Sequence, residues 1–151
     1  MGAFERAQPN GGNALNKILS DTERAELIKA AREARKNSYS PYSHFRVGAA
    51  ILFENGDVVS GCNVENASFG LSLCAERNAM TTAISNGQAK PIAAAIVGKD
   101  GEPCASCGAC RQFLAEFAPE MEIILEDGNG FKIFKLRELL PEYFSPANIA
   151  G

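Results

Sequence analysis

Three cysteines and a glutamate carry the chemistry of this 151-residue chain. Cys74-Ala75-Glu76 is followed by Cys107-Gly108-Ala109-Cys110, offering three soft sulfur ligands and a carboxylate beside one of them. Thiolates suit zinc, and three protein ligands leave the fourth tetrahedral position open to water, which separates a catalytic site from a closed structural one. Glu76 stands two residues from Cys74, where it can move the proton of that water without binding the metal. The pattern predicts activation of water. Pro103-Cys104-Ala105-Ser106-Cys107 adds an overlapping CxxC, so the residues alone allow two registers for the pair, 104/107 and 107/110.

The elements around these residues are placed to present them. A helix is predicted from Cys74 to about Asn86, with Gly87 closing it, and another from Gly108 to Phe117, stopped by Pro119. Each then begins at a cysteine, and a helix N-terminus favours the thiolate that zinc requires. Cys107 and Cys110 fall on one side of the first turn of their helix. Arg77 and Arg111 are near enough in sequence to hydrogen-bond the thiolates and temper their charge.

Upstream, Ser20-Asp21-Thr22-Glu23 reads as a capping box opening a helix to about Asn37, with Leu27, Ala30, Ala31 and Ala34 on one face. Arg46–Phe53 reads as a strand, Asn55-Gly56 as a hairpin turn and Asp57–Cys62 as the returning strand. Ile92–Val97 is wholly apolar, as a strand buried on both faces would be. Met121–Leu125 and Phe131–Lys135 read as strands flanking a turn at Asp127–Gly130, before a short helix over Leu136–Leu140. This order predicts an α/β fold whose mixed sheet carries helices on both faces.

A hydrophobic share of 46% with 22% charged residues fits one soluble globular domain. Residues 1–15 are polar and Gly/Asn-rich and are expected to form a flexible tail, leaving 16–151 as the domain. Net charge −3 argues against nucleic acid as a partner. No apolar run approaches the roughly 20 residues of a membrane span, and the N-terminus lacks a secretory core. Met1-Gly2 is followed by Arg6 rather than the Ser or Thr of a myristoylation signal. Five cysteines, an odd number, suit a reducing, cytoplasmic setting better than a disulfide framework.

Longer segments carry a family resemblance over roughly residues 20–145. Ser40-Pro41-Tyr42-Ser43-His44-Phe45-Arg46-Val47-Gly48-Ala49-Ala50, Gly61-Cys62-Asn63-Val64-Glu65-Asn66-Ala67-Ser68, Cys74-Ala75-Glu76-Arg77 and Cys110-Arg111-Gln112 together resemble the zinc-dependent cytidine deaminases of the free-nucleoside, three-cysteine type. The resemblance implies a three-layer α/β/α fold with a mixed, mostly five-stranded sheet, and 16–151 as a single catalytic domain. It implies hydrolytic deamination of cytidine and 2′-deoxycytidine to the uridines with release of ammonia, as in pyrimidine salvage. It also implies one Zn2+ per subunit on Cys74, Cys107 and Cys110, with Glu76 as proton shuttle and Arg77 supporting the thiolates. Asn63 and Glu65 would bind the ribose, Phe45 would stack on the base, and the Ala75 N–H would bind the base carbonyl. Phe144 would be lent to the pocket of a neighbouring subunit in a homotetramer.

The 107/110 register follows from Gly108 and Arg111-Gln112-Phe113-Leu114, which continue the family pattern from Cys110. Two positions depart from that pattern: Ser106 replaces its usual Pro, and Phe69 stands where many members have Tyr. Other readings predict other features. A structural zinc module would need Cys104 as fourth ligand. A thiol redox protein would leave Cys74 and Glu76 idle, and deamination of a related modified nucleoside would reshape the sugar contacts. Cys62 reads as a small buried hydrophobe, and His44, the only histidine, as a residue with a local structural hydrogen bond.

Overall fold

The computed structural model describes residues 17–150. The tail expected at 1–15 lies outside the described residues. Helix α1 (Asp21–Arg35) opens with the expected capping box: the Glu23 N–H donates to Ser20 Oγ at 3.2 Å and the Ser20 N–H to Glu23 Oε2 at 2.9 Å. It ends two residues before Asn37. Its buried stripe is Leu27, Ile28 and Ala31, so Ile28 takes the place expected for Ala30 and Ala34, which are only half-buried.

Strands β1 (Gly48–Phe53), β2 (Val58–Cys62), β3 (Pro91–Val97), β4 (Glu122–Asp127) and β5 (Gly130–Lys135) form one sheet in the order β2-β1-β3-β4-β5. β1 is antiparallel to β2 and β3, β4 is antiparallel to β5, and only β3 and β4 run parallel. Helix α3 (Gly108–Ala115) makes the crossover that a parallel pair demands. It stops short of Phe117. Helix α2 (Ala75–Ser85) links β2 to β3, and α4 (Leu136–Leu139) follows β5. The β1–β2 turn is wider than Asn55-Gly56 alone. The Gly56 N–H donates to Phe53 O at 2.9 Å and Gly56 takes φ +91°, a three-residue loop that delays β2 to Val58.

The central strands alternate, and that alternation builds the three layers. Ala49, Ile51, Phe53, Ala94, Ile96, Ile123 and Leu125 face Ala79, Met80, Ala83, Leu114 and Ala115 of α2 and α3. Ala50, Leu52, Ala93, Ala95, Val97 and Ile124 face Leu27, Ile28 and Ala31 of α1. Both faces of β3 are therefore covered, as its unbroken apolar run predicts.

Two strand glycines let the helices sit close. A Cβ on Gly48 would lie 1.9 Å from the Ala31 carbonyl oxygen, and one on Gly61 would lie 2.5 Å from the Ala79 nitrogen. Both obstacles are helix backbone, which cannot rotate away. Gly48→Ala is expected to destabilise the fold by at least about 3 kcal/mol, read as a lower urea midpoint at unchanged slope.

Beyond β2 the chain threads between two other segments and sets the geometry of the site. Val64 bridges Tyr39 on one side and Leu73 on the other. The Glu65 N–H donates to Tyr39 O at 2.8 Å, and Val64 and Leu73 exchange two bonds of 2.9 Å. Leu73 immediately precedes Cys74, so this threading ties the 63–65 segment to the start of α2.

Candidate active site

Helices α2 and α3 bring their first residues together at one point. Cys74 caps α2 with φ −72° and ψ 156°, and Cys107 caps α3 with φ −71° and ψ 163°. Their sulfurs lie 3.8 Å apart, and the Sγ atoms of Cys74, Cys107 and Cys110 all lie within 4.8 Å of one another. A tetrahedral zinc with bonds of about 2.3 Å holds its sulfurs about 3.8 Å apart, so the set fits the ion. Cys104 stands outside this set. The site thus offers three sulfurs and, among the described residues, no fourth thiol to close it.

Crowding three thiols splits their acidities. The neighbouring Cys110 thiol holds the Cys74 thiol down at about 5, with Arg77 and Cys107 adding and burial opposing. Cys110 is pushed far the other way by Cys74, then by burial and by the charge of Glu76. Cys107 accepts the Cys110 N–H at 3.5 Å, the cap that the free amides of the first turn invite. Cys104 is raised to about 11, first by burial and then by the charges of Glu76 and Cys74. One thiolate forms readily, and a dication is what would draw the protons from its neighbours.

Glu76 sits on the first turn of α2 and is only 4% exposed. Burial raises its carboxyl above the ordinary range, its own backbone N–H and Ser106 oppose this, and Cys74 reinforces it. A buried carboxyl that is reluctant to ionise suits a group that must both take and give a proton. Of the two arginines, Arg77 directs Nη2 towards Cys74 Sγ at 3.8 Å and towards Ser72 O at 3.4 Å. Arg111 turns instead to the C-terminal segment and donates to Leu139 O at 2.8 Å.

Asn63 and Glu65 both reach towards residues 38–47, one residue either side of the Val64 bridge. Asn63 Oδ1 accepts from the Val47 N–H at 2.9 Å and from Ser38 Oγ, while its Nδ2 donates to Phe45 O at 2.8 Å. Glu65 Oε2 accepts the N–H groups of Tyr42 and Ser43 at 3.0 and 3.2 Å, and Oε1 accepts Ser43 Oγ. The Ser43 hydroxyl, followed by those two amides and His44, holds the Glu65 carboxyl below the usual range. The same Ser43 Oγ accepts the Phe45 N–H at 3.0 Å. Asn63 and Glu65 therefore brace the turn that presents Phe45, and each keeps hydrogen-bonding capacity beyond these contacts.

Phe45 is 44% exposed. Its ring edge reaches Gly98 beside Cys104, since a Cβ on Gly98 would lie 3.0 Å from both Phe45 Cζ and Cys104 Sγ. The aromatic thus joins the loop that leads into Ser106 and Cys107. Ala75 is the first residue of α2, where backbone N–H groups lack an intrahelical acceptor. His44 takes φ +56° and donates its backbone N–H to Ser40 O at 3.0 Å, so its local bond comes from the main chain. Phe69 packs edge-on against Tyr42 with ring centroids 5.6 Å apart. Phe144 lies apart in sequence and 60% exposed, with its backbone clamped by the Gln112 amide: Nε2 donates to Phe144 O at 2.7 Å and Oε1 accepts the Phe144 N–H at 3.2 Å. The sequence assigns no part to Ser38, Ser43, Gly98 or Gln112, whose parts arise from contacts between distant segments.

The cytidine and deoxycytidylate deaminase zinc-binding region matches residues 21–126. The chain belongs to this deaminase family. A cytidine deaminase of Halalkalibacterium halodurans is 44% identical over 125 residues, covering 82% of this chain and 95% of that one. A cytidine deaminase of Sporosarcina psychrophila is 39% identical over 127 residues, covering 83% and 93%. The crystal structure of cytidine deaminase from Burkholderia pseudomallei superimposes with a TM-score of 0.76 at 44% identity, covering 80% of this chain and 98% of that one. The mixed five-stranded sheet is thus the deaminase fold, and the three-cysteine cluster fits one Zn2+.

Proposed function

We propose that this chain catalyses the zinc-dependent hydrolysis of cytidine and 2′-deoxycytidine to uridine and 2′-deoxyuridine, releasing ammonia. The observation that carries this reading is an open set of three sulfurs on two helix starts, with a buried carboxyl two residues from one of them. Cys74, Cys107 and Cys110 would hold the metal. Bound there, zinc supplies the Lewis acidity that makes water a nucleophile near neutral pH.

The remaining work belongs to the chain. Glu76 accepts a proton from the water that adds to C4 and delivers it to N3, then takes the second proton from the hydroxyl now on C4 and gives it to the departing amine. Atoms balance as water in and ammonia out. Ala75 N–H, at the positive end of α2, binds the base carbonyl, and Phe45 stacks on the ring. Asn63 and Glu65 hold the ribose hydroxyls, and Arg77 offsets the surplus negative charge of the thiolates. Phe144 completes the pocket of a neighbouring subunit in a homotetramer, and its clamp to Gln112 suits an exposed aromatic that must be presented rather than left loose.

Free nucleosides are the substrate class, because net charge −3 offers no footprint for a polynucleotide. No helix among the described residues is long and apolar enough to cross a membrane. Five free thiols suit a reducing cytoplasm and a role in pyrimidine salvage.

Two experiments follow from these assignments. Dialysis against a zinc chelator abolishes cytidine turnover, and stoichiometric zinc restores it; turnover that survives complete removal of the metal refutes the zinc role. Glu65→Gln, which withdraws a charged hydrogen-bond acceptor from the sugar, raises the KM for cytidine at least tenfold with zinc content unchanged. An unaltered KM would take Glu65 out of the ribose site.

A further inference from the structure

Arg35 is the last residue of α1, and its half-buried side chain is spent on the short stretch of chain that follows β3. Nη1 donates to the Gly98 carbonyl, and Nη2 lies 2.7 Å from Asp100 Oδ1. Asp100 is 71% exposed, where an ion pair adds little stability. What the guanidinium adds is geometry, because its planar fork holds two acceptors in a fixed relation. The residue held is the one against which Phe45 rests. Ala94 and Ile96 face α2 and α3, and Gly98 comes next in that alternation. A Cβ there would lie 3.0 Å from Phe45 Cζ and 3.0 Å from Cys104 Sγ. Arg35 therefore fixes, from the α1 side, the surface that the Phe45 ring meets from the other.

We infer that Arg35 is a positioning residue for Phe45, pinning Gly98 and Asp100 so that the ring is seated at the depth and tilt that base stacking needs. Aromatic contacts depend on offset and interplanar angle, so a seat that shifts weakens the stack without touching a metal ligand. Phe45 is partly exposed and has no surrounding core to lock its ring, which leaves the far side of the contact to set its place. Gly98 is the other half of the device, since only a residue without a Cβ admits the ring edge and the Cys104 thiol together. The inference rests on the stacking role proposed for Phe45 and names the groups behind it.

The test measures cytidine KM, kcat and zinc content for Arg35→Ala, Arg35→Lys and Gly98→Ala, each made in the wild-type chain and in Phe45→Leu. Arg35→Ala is expected to raise KM about fivefold with kcat within about threefold and one zinc per chain, as when binding common to ground and transition states is lost. Arg35→Lys keeps the charge and the apolar stem, so it folds even if Arg35→Ala does not. Its single ammonium replaces the fork, and KM should still rise about threefold. Gly98→Ala, whose methyl presses on the ring, should raise KM by a similar factor. In Phe45→Leu, which itself raises KM, none of the three should add more than about twofold, because residues acting through one ring are not additive. A wild-type KM for Arg35→Lys or for Gly98→Ala overturns the inference. So does the full rise in the Phe45→Leu background, which would make Arg35 a general support of the fold, or loss of zinc, which would make it a support of the ligand loop. If Phe45→Leu alone leaves KM unchanged, the stacking role of Phe45 fails and the Arg35 role falls with it, an outcome read before the other variants are compared.

Discussion

Glu76→Gln is expected to lower kcat by about a thousandfold while the protein keeps one zinc per chain and its unfolding midpoint. The magnitude is that of a positioned general acid–base group. Glutamine fills the same volume in a site where the carboxyl is 4% exposed, so packing does not change. It cannot exchange a proton, so the water, N3 and the leaving amine lose their shuttle together. Stability should not suffer, because burial disfavours the charged carboxylate in the first place. Turnover measured beside metal content separates this from damage to the cluster. A Glu76→Gln protein that holds zinc and retains more than a tenth of wild-type kcat would remove Glu76 from the mechanism.

The cysteine series has the other large effect. Cys74→Ala, Cys107→Ala and Cys110→Ala each leave two sulfurs where zinc needs three protein ligands, and each is expected to lose stoichiometric zinc and essentially all turnover. Cys104→Ala is expected to keep both. Geometry supports the distinction: three sulfurs lie within 4.8 Å of one another, and Cys104 Sγ packs instead against Gly98 beside the Phe45 ring. Metal analysis of the four purified variants reads the result directly. If Cys104→Ala loses zinc while Cys110→Ala keeps it, the ligand register is 104/107 and the cluster must rearrange to bind.

Much of this architecture was legible in the chain because local rules agree with tertiary demand. Ser20 and Glu23 form their capping box, the apolar run at Ile92–Val97 is a strand covered on both faces, and Cys74 and Cys107 each cap a helix. Ile28 escapes the stripe of Leu27, Ala30, Ala31 and Ala34 because the helix turns its Leu27–Ile28 side, rather than Ala30 and Ala34, into the sheet. Asn55-Gly56 marks the hairpin correctly, and the difference is at the returning strand, which begins at Val58 rather than Asp57.

The site divides along the same line. The thiols and Glu76 are legible because ligand spacing on a helix is a local property. The brace around Phe45 is not, because it depends on Val64 bridging Tyr39 and Leu73 through isolated pairings that leave no periodic signal. Alternation alone predicts that Asn63 and Glu65 share a side. It cannot say that this side meets Ser38, Ser43 and the backbone of residues 42–47. Arg111 shows the converse error: sequence proximity to Cys110 suggests a thiolate partner, yet its side chain reaches Leu139 O across the fold.

The central claim is tested by following cytidine at its ultraviolet band with the zinc-loaded protein, while uridine and ammonia are assayed in the same samples. The account predicts steady loss of cytidine with one uridine and one ammonia formed per turn. A protein that carries one zinc per chain and leaves cytidine untouched would contradict it.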